Sequence, residues 1–215
     1  MRFAVLGSGQ VGRRIAGKLI ELGHEVRLGS RSADNADTRQ WAEAAGPNGS
    51  AGTFADAAAF GDIVVNCTAG VASVDVLRAV GPAALDGKLL IDVANPLQSD
   101  QGTTTLAVCN TDSLGEQIQR ELPGVRVVKA LNTVNNAVMV NPSLVDGSHN
   151  VFVCGNDEGA KGEVKALLES FGWPVDDILD LGDITAARGT EMYLALWLRL
   201  WSVAPSPHFN IKLVG

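Results

Sequence analysis

The sequence predicts an α/β protein, with a Rossmann-type doubly wound parallel sheet followed by a small C-terminal α/β lobe. Short apolar runs alternate with helical patterns through at least five units, which is typical of a parallel sheet with crossover helices. The glycine-rich string GSGQVG lies between the first predicted strand and the first predicted helix. Hydrophobic residues make up 46% of the 215 residues, so the chain can bury a sizeable core.

The individual elements follow from the apolar pattern. Buried parallel strands read as continuous apolar runs, whereas amphipathic helices repeat apolar residues every three to four positions. Strands are predicted at 3–7, 25–29, 50–53, 62–68, 88–95, 125–132 and 150–155, although the stretches EVRLG at 25–29 and SAGT at 50–53 are not continuous apolar runs. The second pattern, with its cap and stop signals, predicts helices at 10–23, 38–46, 54–61, 73–81, 113–122, 158–172 and 184–203. Residues 98–110 are expected to form a loop, and residues 173–182 to be extended.

The string GSGQVG, residues 7–12, fits the dinucleotide-binding pattern G-x-G-x-x-G. Gly7 would permit the sharp turn off the strand, Gly9 would let a diphosphate approach the backbone, and Gly12 would let the helix pack closely. The helix would offer free N–H groups and a partial positive charge to the diphosphate. We therefore expect a bound dinucleotide, although a glycine-rich turn without a ligand would share the string.

The end of the second strand predicts which dinucleotide is bound. NAD-binding proteins carry an acidic residue about 20 residues beyond the glycines, where it accepts a hydrogen bond from the ribose 2′-hydroxyl. In the stretch EVRLGSR, Glu25 comes too early, and Ser30 and Arg31 stand at the strand end. A hydroxyl and a guanidinium suit an anionic 2′-phosphate, so these two residues predict NADP(H).

Charge and cysteine usage exclude several classes of protein. The formal net charge of −7 argues against nucleic acids and anionic membranes as partners. No signal peptide or apolar stretch of membrane-spanning length is evident in the sequence. The cysteines Cys67, Cys109 and Cys154 form no Cys-x-x-Cys pair. We expect a cytoplasmic protein with buried, reduced thiols and no metal site.

The acid–base motifs of common reductases are missing from the sequence. The one tyrosine, Tyr193, is followed four positions later by Trp197, so the Tyr-x-x-x-Lys pair of short-chain reductases is absent. The three histidines, His24, His149 and His208, lie in turn-like or proline-rich stretches. Three interpretations remain: direct hydride transfer to another redox cofactor, binding of NADPH as a sensor, and reduction of a small carbonyl or imine. The missing pair disfavours the third.

Five segments spread over nearly the whole chain resemble the family of coenzyme F420-dependent NADP oxidoreductases: GSGQVG, LGHEVRLGSR, LLIDVANPL, VVKALNTV and FNIKLV. The resemblance implies that NADP and an 8-hydroxy-5-deazaflavin lie face to face in a cleft between a Rossmann domain and a small lobe. Hydride would pass between them without a protein acid or base, so no catalytic residue is expected. We assign residues 1–140 to the NADP-binding domain and residues 141–215 to the lobe that holds the substrate cleft.

The resemblance also implies a set of site residues, carried over by motif. The diphosphate cradle would comprise Gly7, Ser8, Gly9, Gln10 and Val11. The 2′-phosphate clamp would comprise Ser30 and Arg31, and the border of the nucleotide would comprise Thr68 and Ala69. The nicotinamide and acceptor end would be lined by Asn95, Pro96, Asn132, Thr133 and Val134.

The hydride acceptor stays open between a deazaflavin and a flavin. The chain reads ALNT where deazaflavin-reducing members of the family read ALHT, so Asn132 can donate a hydrogen bond but cannot ionise. A branch of flavin and ferric reductases shares this region of the fold, which makes a flavin or ferric reductase the second hypothesis.

The last predicted helix is apolar on nearly every face, a pattern typical of a helix that is buried on all sides. A small lobe offers little cover of its own, so this helix predicts a homodimer interface rather than a monomeric core. Two charged residues in it, Arg188 and Glu191, fit either a salt bridge or a pair in the cleft.

Overall fold

The computed structural model describes residues 1–100 and 102–215, and it is built on one eight-stranded sheet. The strands are β1 (Arg2–Leu6), β2 (Glu25–Ser30), β3 (Gly49–Thr53), β4 (Ile63–Asn66), β5 (Leu89–Asp92), β6 (Leu97–Asp100), β7 (Thr103–Leu106), β8 (Arg126–Ala130), β9 (Val151–Gly155) and β10 (Ile178–Asp180). The large sheet has the order β10-β9-β8-β5-β4-β1-β2-β3, and β6 and β7 form a separate pair.

The helices alternate with the strands along the chain. They are α1 (Gln10–Glu21), α2 (Ala36–Ala45), α3 (Phe54–Phe60), α4 (Gly70–Val80), α5 (Pro82–Leu85), α6 (Leu114–Glu121), α7 (Asn136–Val140), α8 (Glu158–Ser170) and α9 (Ala187–Val203). Short 3₁₀ turns precede β3, β10 and α9 and follow α7. Among the described residues, no helix combines the length and the apolar character needed to cross a bilayer.

Neighbouring strands of the large sheet run parallel, except that β9 is antiparallel to β8. The predicted fold class, a doubly wound α/β sheet of the Rossmann type, is confirmed. The strands β9 and β10 extend the same sheet, so residues 141–215 continue the core that the N-terminal strands begin. The functional division at residue 140 stays a prediction.

Both faces of the sheet are covered by helices, because side chains alternate between faces along each strand. Phe3 and Val5 of β1 pack into one apolar cluster, together with residues of α1 and α8. Ala4 and Leu6 of the same strand pack into a second cluster, with residues of α3, α4 and α6. The carboxyl ends of the parallel strands therefore emerge between two helical layers, at one edge of the sheet.

The loop expected at residues 98–110 is instead in large part a hairpin. The strands β6 and β7 pair antiparallel, with Leu97 opposite Leu106. β7 has the sequence TTTL, and threonine is β-branched and favours extended backbone. This stretch lacks the apolar run of a buried strand, since Thr103 to Thr105 are exposed. Gln101, which the loop prediction also covered, lies outside the described residues.

Helix α9 is less buried than its sequence suggests. Leu194 and Trp197 are buried, but Leu196, Trp201 and Val203 are 55%, 50% and 79% exposed. The burial expected on every face is therefore not met within one chain.

After α9 the chain returns to the start of β9. The Asn150 N–H donates to the Ile211 carbonyl at 2.9 Å, and the Leu213 N–H donates to Asn150 Oδ1 at 2.7 Å. Between these contacts and the helix, the Phe209 ring stacks on Trp197 with the ring centroids 5.3 Å apart. The C-terminal segment thus contacts both α9, through Phe209, and the start of β9, through Ile211 and Leu213.

Candidate active site

A cleft of about 470 Å³ opens where the carboxyl ends of β4, β5 and β8 meet the start of α1 and the side of α9. Open parallel sheets bind ligands at this edge. Seven of the predicted site residues line the cleft: Val11, Thr68, Ala69, Asn95, Asn132, Thr133 and Val134. The lining also includes residues that the sequence did not single out for the site, among them Cys67, Met139, Leu194, Trp197, Leu198 and Trp201.

The glycine loop has the geometry that its sequence predicts. Gly7 has φ +123°, and a Cβ there would lie 2.4 Å from the Cys67 carbonyl oxygen. A Cβ on Gly12 would lie 1.8 Å from the Gly7 carbonyl oxygen, so only glycine lets α1 sit this close to the turn. A Cβ on Gly9, by contrast, would meet nothing within 4 Å. The open space beside Gly9 is where a diphosphate could approach the backbone.

Two helices begin at this edge of the sheet without a side-chain cap. Gly9 is the N-cap of α1 and Ala69 is the N-cap of α4, and neither helix has an acidic residue in its first turn. Their first N–H groups are therefore available to an anion, and the helix dipoles favour negative charge. This arrangement fits the diphosphate of a dinucleotide.

Ser30 and Arg31 lie at the end of β2, away from the lining of the cleft. Ser30 is buried, and its hydroxyl donates to the Ser32 carbonyl at 2.6 Å. Arg31 is exposed, and among the described residues it has no carboxylate within salt-bridge distance. The guanidinium is thus free to bind an anion, whereas the hydroxyl proton of Ser30 already forms a hydrogen bond to the Ser32 carbonyl.

The floor of the cleft is a pair of amides from two strand ends. Asn95 Nδ2 donates to the Asn132 carbonyl at 2.8 Å, and Asn132 Nδ2 donates to Asn95 Oδ1 at 3.0 Å. This reciprocal pair ties the segment after β5 to the segment after β8. Pro96 is buried and its carbonyl accepts from the Ala107 N–H, but it is not among the lining residues.

The turn after β8 holds a strained residue beside the cleft. Leu131 has φ +63°, in the left-handed region that bulky side chains rarely adopt. Strain of this kind persists where the surrounding contacts hold the residue in its conformation, and it is common at functional sites. Here it brings Asn132 and Thr133 from the strand end into the cleft lining.

The opposite wall of the cleft is aromatic and apolar. Leu194, Trp197, Leu198 and Trp201 of α9 form it, and the rings of Trp197 and Trp201 lie 5.4 Å apart. Two buried polar atoms of the lining residues, Thr133 Oγ1 and Trp197 Nε1, have no hydrogen-bond partner among the described residues. Buried polar groups are normally paired, so these two atoms fit a site that a polar, planar ligand completes.

A buried ionic cluster that no motif of the sequence predicts lies under the cleft. Lys129 Nζ is 2.8 Å from Asp92 Oδ2 and 2.8 Å from Glu191 Oε1, and all three side chains are at most 1% exposed. Lys129 also donates to the Ala94 carbonyl at 2.5 Å. Burial lowers the pKa of Lys129, but the charges of Asp92 and Glu191 outweigh this, so its pKa is raised and it stays cationic.

The cluster reaches the cleft through a chain of hydrogen bonds. Asn66 Nδ2 donates to Asp92 Oδ1 at 2.8 Å, and the Thr68 hydroxyl donates to Asn66 Oδ1 at 2.7 Å. Asn66, Asp92 and Lys129 are register partners on three adjacent strands. The signal that could have found them is one polar residue at the same level in three apolar runs: VVN, LLID and VVK.

The lining contains no side chain suited to proton transfer near neutral pH. Among the described residues, Cys67 is the one ionisable side chain of the lining, and burial together with the charge of Asp92 raises the pKa of its thiol. His149 is buried elsewhere, against the Pro142 carbonyl and Asn210. Within residues 1–100 and 102–215, no group of three or more His, Cys, Asp or Glu residues could hold a metal ion.

The glycine turn, the uncapped helices and the cleft at the strand ends define a dinucleotide-binding protein of the Rossmann class. A family model described as NADP oxidoreductase, coenzyme F420-dependent, matches residues 2–96. The crystal structure of a candidate F420-dependent NADP reductase from Arthrobacter sp. FB24 has 48% sequence identity and a TM-score of 0.93, with 99% of each chain covered. The chain therefore belongs to this family and is an NADP-dependent oxidoreductase, which confirms the predicted resemblance.

Two further similarities are more distant. The metalloreductase STEAP3 of Rattus norvegicus is 28% identical over 211 residues, which is 94% of this chain but only 38% of that protein. An imine reductase from Bacillus cereus BAG3X2 is 16% identical at a TM-score of 0.67, with 94% of this chain and 60% of that chain covered. The imine reductase shares the fold, and its identity is too low to carry more than that.

Proposed function

We propose that the protein transfers a hydride directly between NADP(H) and a deazaflavin of the coenzyme F420 type, which binds against α9. The observation that carries this proposal is the contrast between the two walls of the cleft. The strand-end side presents the amides of Asn95 and Asn132, and the helix side presents Trp197, Leu198 and Trp201. An amide-lined floor suits a nicotinamide, and an aromatic wall suits a planar tricyclic ring.

The residues of the cleft would act by position rather than by acid–base chemistry. NADPH supplies the hydride when it is bound, so the protein needs only to align donor and acceptor in a water-poor space. The apolar wall of α9 would exclude water, and Thr133 and Trp197 would pair their free polar atoms with the acceptor or the nicotinamide. The raised pKa of the Cys67 thiol keeps it protonated, so it would add no charge beside the reacting rings.

The nucleotide would be held by the glycine loop and by the end of β2. Gly7, Ser8, Gly9, Gln10 and Val11 would cradle the diphosphate, with the free N–H groups of α1 directed at it. Arg31 would bind the 2′-phosphate, because its guanidinium is exposed at the strand end. Ser30 would contribute through its backbone N–H or as the support of the turn, since its hydroxyl already donates to Ser32.

A second function, reduction of a flavin or a ferric chelate, is favoured by one observation. The chain is 28% identical to a metalloreductase over 94% of its own length. A flavin would use the same aromatic wall, because its ring has the same shape as that of a deazaflavin. The two functions therefore differ in the acceptor and share the NADPH site.

The acceptor decides between these functions and can be tested directly. Purified protein and NADPH are mixed with oxidised coenzyme F420, with FMN and with a ferric chelate in separate reactions, and NADPH absorbance is followed. Turnover with the deazaflavin alone supports the first function, and turnover with FMN or the chelate alone supports the second. Tight NADPH binding without oxidation by any acceptor would contradict both.

We also propose that α9 forms part of a homodimer interface. The support is its exposed apolar face, where Leu196 and Val203 are 55% and 79% exposed. Light scattering after size exclusion should give the mass of two chains, and the double variant Leu196→Glu with Val203→Glu should give the mass of one. A wild-type protein that is monomeric at micromolar concentration would contradict the interface.

A cytoplasmic location belongs to the same proposal. All three cysteines are free, which suits a reducing compartment. Fractionation of cells that express the tagged protein should recover it with cytoplasmic markers, and recovery with an exported or membrane fraction would contradict this location.

A further inference from the structure

We infer that Glu191 is a positioning residue for the acceptor side of the cleft: through Lys129, it fixes the rotation of α9 that presents the aromatic wall. The inference rests on the proposed function, in which that wall holds the hydride acceptor. It concerns a residue that lies outside the cleft lining and that would touch neither the cofactor nor the acceptor.

The Glu191 carboxylate is held from two sides at once. Its Oε1 lies 2.8 Å from Lys129 Nζ on β8 and accepts from the Gly115 N–H at 3.0 Å, and its Oε2 accepts from the Leu114 N–H at 2.8 Å. The two N–H groups belong to the first turn of α6, whose dipole favours an anion there. Burial raises the pKa of Glu191. Both oxygens nevertheless only accept hydrogen bonds, which is the pattern of an ionised carboxylate.

The spacing along α9 connects this carboxylate to the cleft. Leu194 and Leu198 follow Glu191 by three and seven residues, so all three lie on one face of the helix. Trp197 and Leu198 both line the cleft, so the wall is continuous with the face of α9 that carries the carboxylate. Rotation of α9 about its axis would break the ion pair of Glu191 with Lys129 and its two hydrogen bonds to the first turn of α6. These contacts therefore set which residues of α9 face the acceptor.

The same ammonium group also holds the floor of the cleft. Lys129 pairs with Asp92 at the end of β5 and donates to the Ala94 carbonyl, next to Asn95. The floor and the wall are thus fixed to a single buried charge. Direct hydride transfer depends on the distance between donor and acceptor, so one fixed point for both sides would keep that distance constant.

A second ion pair between the same two helices provides a matched comparison. Arg188 of α9 pairs with Glu116 of α6, but the Arg188 side chain is 37% exposed and neither residue contacts Lys129. If any link between α9 and α6 were sufficient, loss of either pair would have the same effect. If the link to the sheet matters, only the Glu191 variant will change the wall.

The test compares Glu191→Gln with Arg188→Gln in the full chain bound to NADPH. Hydrogen exchange of the α9 amides shows whether the Glu191 contacts stabilise this helix, and it needs no acceptor. We expect faster exchange at 191–201 in Glu191→Gln alone. With the acceptor that wild-type protein reduces, Glu191→Gln should lose roughly 10- to 100-fold in kcat/KM, through both kcat and KM for the acceptor, because the wall binds the acceptor and sets its distance from the nicotinamide. The Kd for NADPH should change by less than about twofold in both variants, since neither residue lies in the nucleotide site.

Two results would overturn the inference: unchanged α9 exchange in Glu191→Gln, or equal losses of NADPH and acceptor binding. If Glu191→Gln fails to fold, Glu191→Asp replaces it, because it keeps the charge and shortens the side chain, and the same split between acceptor and NADPH is expected. A wild-type protein that reduces no acceptor would contradict the proposed function alone, because the exchange measurement does not use one.

Discussion

Asp92 and Lys129 lie side by side at the ends of β5 and β8, and they form an ion pair of 2.8 Å that has no exposure to solvent. The pair shares its lysine with Glu191 and lies directly beneath the amides of the cleft. Charges this deeply buried are costly unless each one is paired, so the cluster depends on all of its members.

Replacement of the shared lysine should therefore be severe. Lys129→Met would leave Asp92 and Glu191 buried without a counter-charge, and we expect a loss of about 3–5 kcal/mol in the free energy of unfolding. Lys18→Met is the matched control, because Lys18 pairs within α1 at 2.9 Å with Glu21, whose side chain is 69% exposed, so its loss leaves no buried charge unpaired. It should cost about 0–1 kcal/mol. Urea unfolding of both variants makes the comparison, and equal losses would contradict the role of the cluster.

The glycine loop gives a second prediction. A Cβ on Gly12 would overlap the Gly7 carbonyl oxygen, so Gly12→Ala should push α1 away from the turn and weaken NADPH by about tenfold or more, or ~1.4 kcal/mol. Gly17→Ala is on the same helix and meets nothing within 4 Å. It should instead stabilise the protein by about 0.4–1 kcal/mol. Fluorescence titration gives the Kd for NADPH of each variant. Equal Kd values for Gly12→Ala and Gly17→Ala would contradict this prediction.

The choice of nucleotide gives a third prediction. Arg31→Ala should weaken NADPH much more than NADH, since a charge-assisted hydrogen bond to phosphate contributes about 1.5–3 kcal/mol. Arg14→Ala, on the exposed side of α1, should affect both nucleotides little. Calorimetric titration gives the two dissociation constants. Equal weakening of NADPH and NADH by Arg31→Ala would show that Arg31 does not contact the 2′-phosphate.

The cysteines give a fourth prediction, in which the structure corrects the expectation that all thiols are buried. Cys109 is exposed and Cys67 is half-buried in the cleft lining, and burial raises the pKa of Cys154 to about 12 and raises that of Cys67 as well. A raised pKa leaves little thiolate at pH 8, so iodoacetamide should modify native protein at Cys109 alone. Mass spectrometry of Cys109→Ser should then show no native labelling, and all remaining thiols should react after denaturation. Rapid native labelling of Cys154 would contradict the packing of β9.

Much of the N-terminal half of the fold could be predicted because its signals are local. An apolar run, a glycine turn and an amphipathic helix each show within about 20 residues, and β1, α1 and β2 appear where those patterns lie. The capping box at Ser113 and Glu116 is local as well, and Ser113 does cap α6. The antiparallel direction of β9 and the hairpin of β6 and β7 depend on tertiary pairing, for which the chain carries no short-range pattern.

In the site, likewise, the residues that belong to a motif could be predicted from the sequence, and those that depend on tertiary packing could not. Residues that a motif marks, such as Asn95 and Asn132, do line the cleft. For the helix that carries the aromatic wall, the sequence predicts an interface, because periodicity alone cannot separate a face that covers a ligand from one that covers a partner. Glu191 had two possible roles in the sequence, and only the fold shows that its partner is Lys129 rather than Arg188. A buried ion pair joins residues that are distant in sequence, so local patterns such as LLID and VVK can mark the polar residues at the strand ends but cannot show which of them pair.

Direct hydride transfer to the acceptor is the central claim, and isotope transfer tests it most directly. NADPH that carries deuterium on the transferred face of its nicotinamide C4 is oxidised by the protein with coenzyme F420, and the reduced deazaflavin is analysed by mass spectrometry and NMR. Because position 5 of a deazaflavin is carbon, a transferred deuterium is retained there and does not exchange with water. We predict one deuterium at that carbon for each NADPH oxidised. Reduced deazaflavin without deuterium, or no reduction at all, would contradict the account.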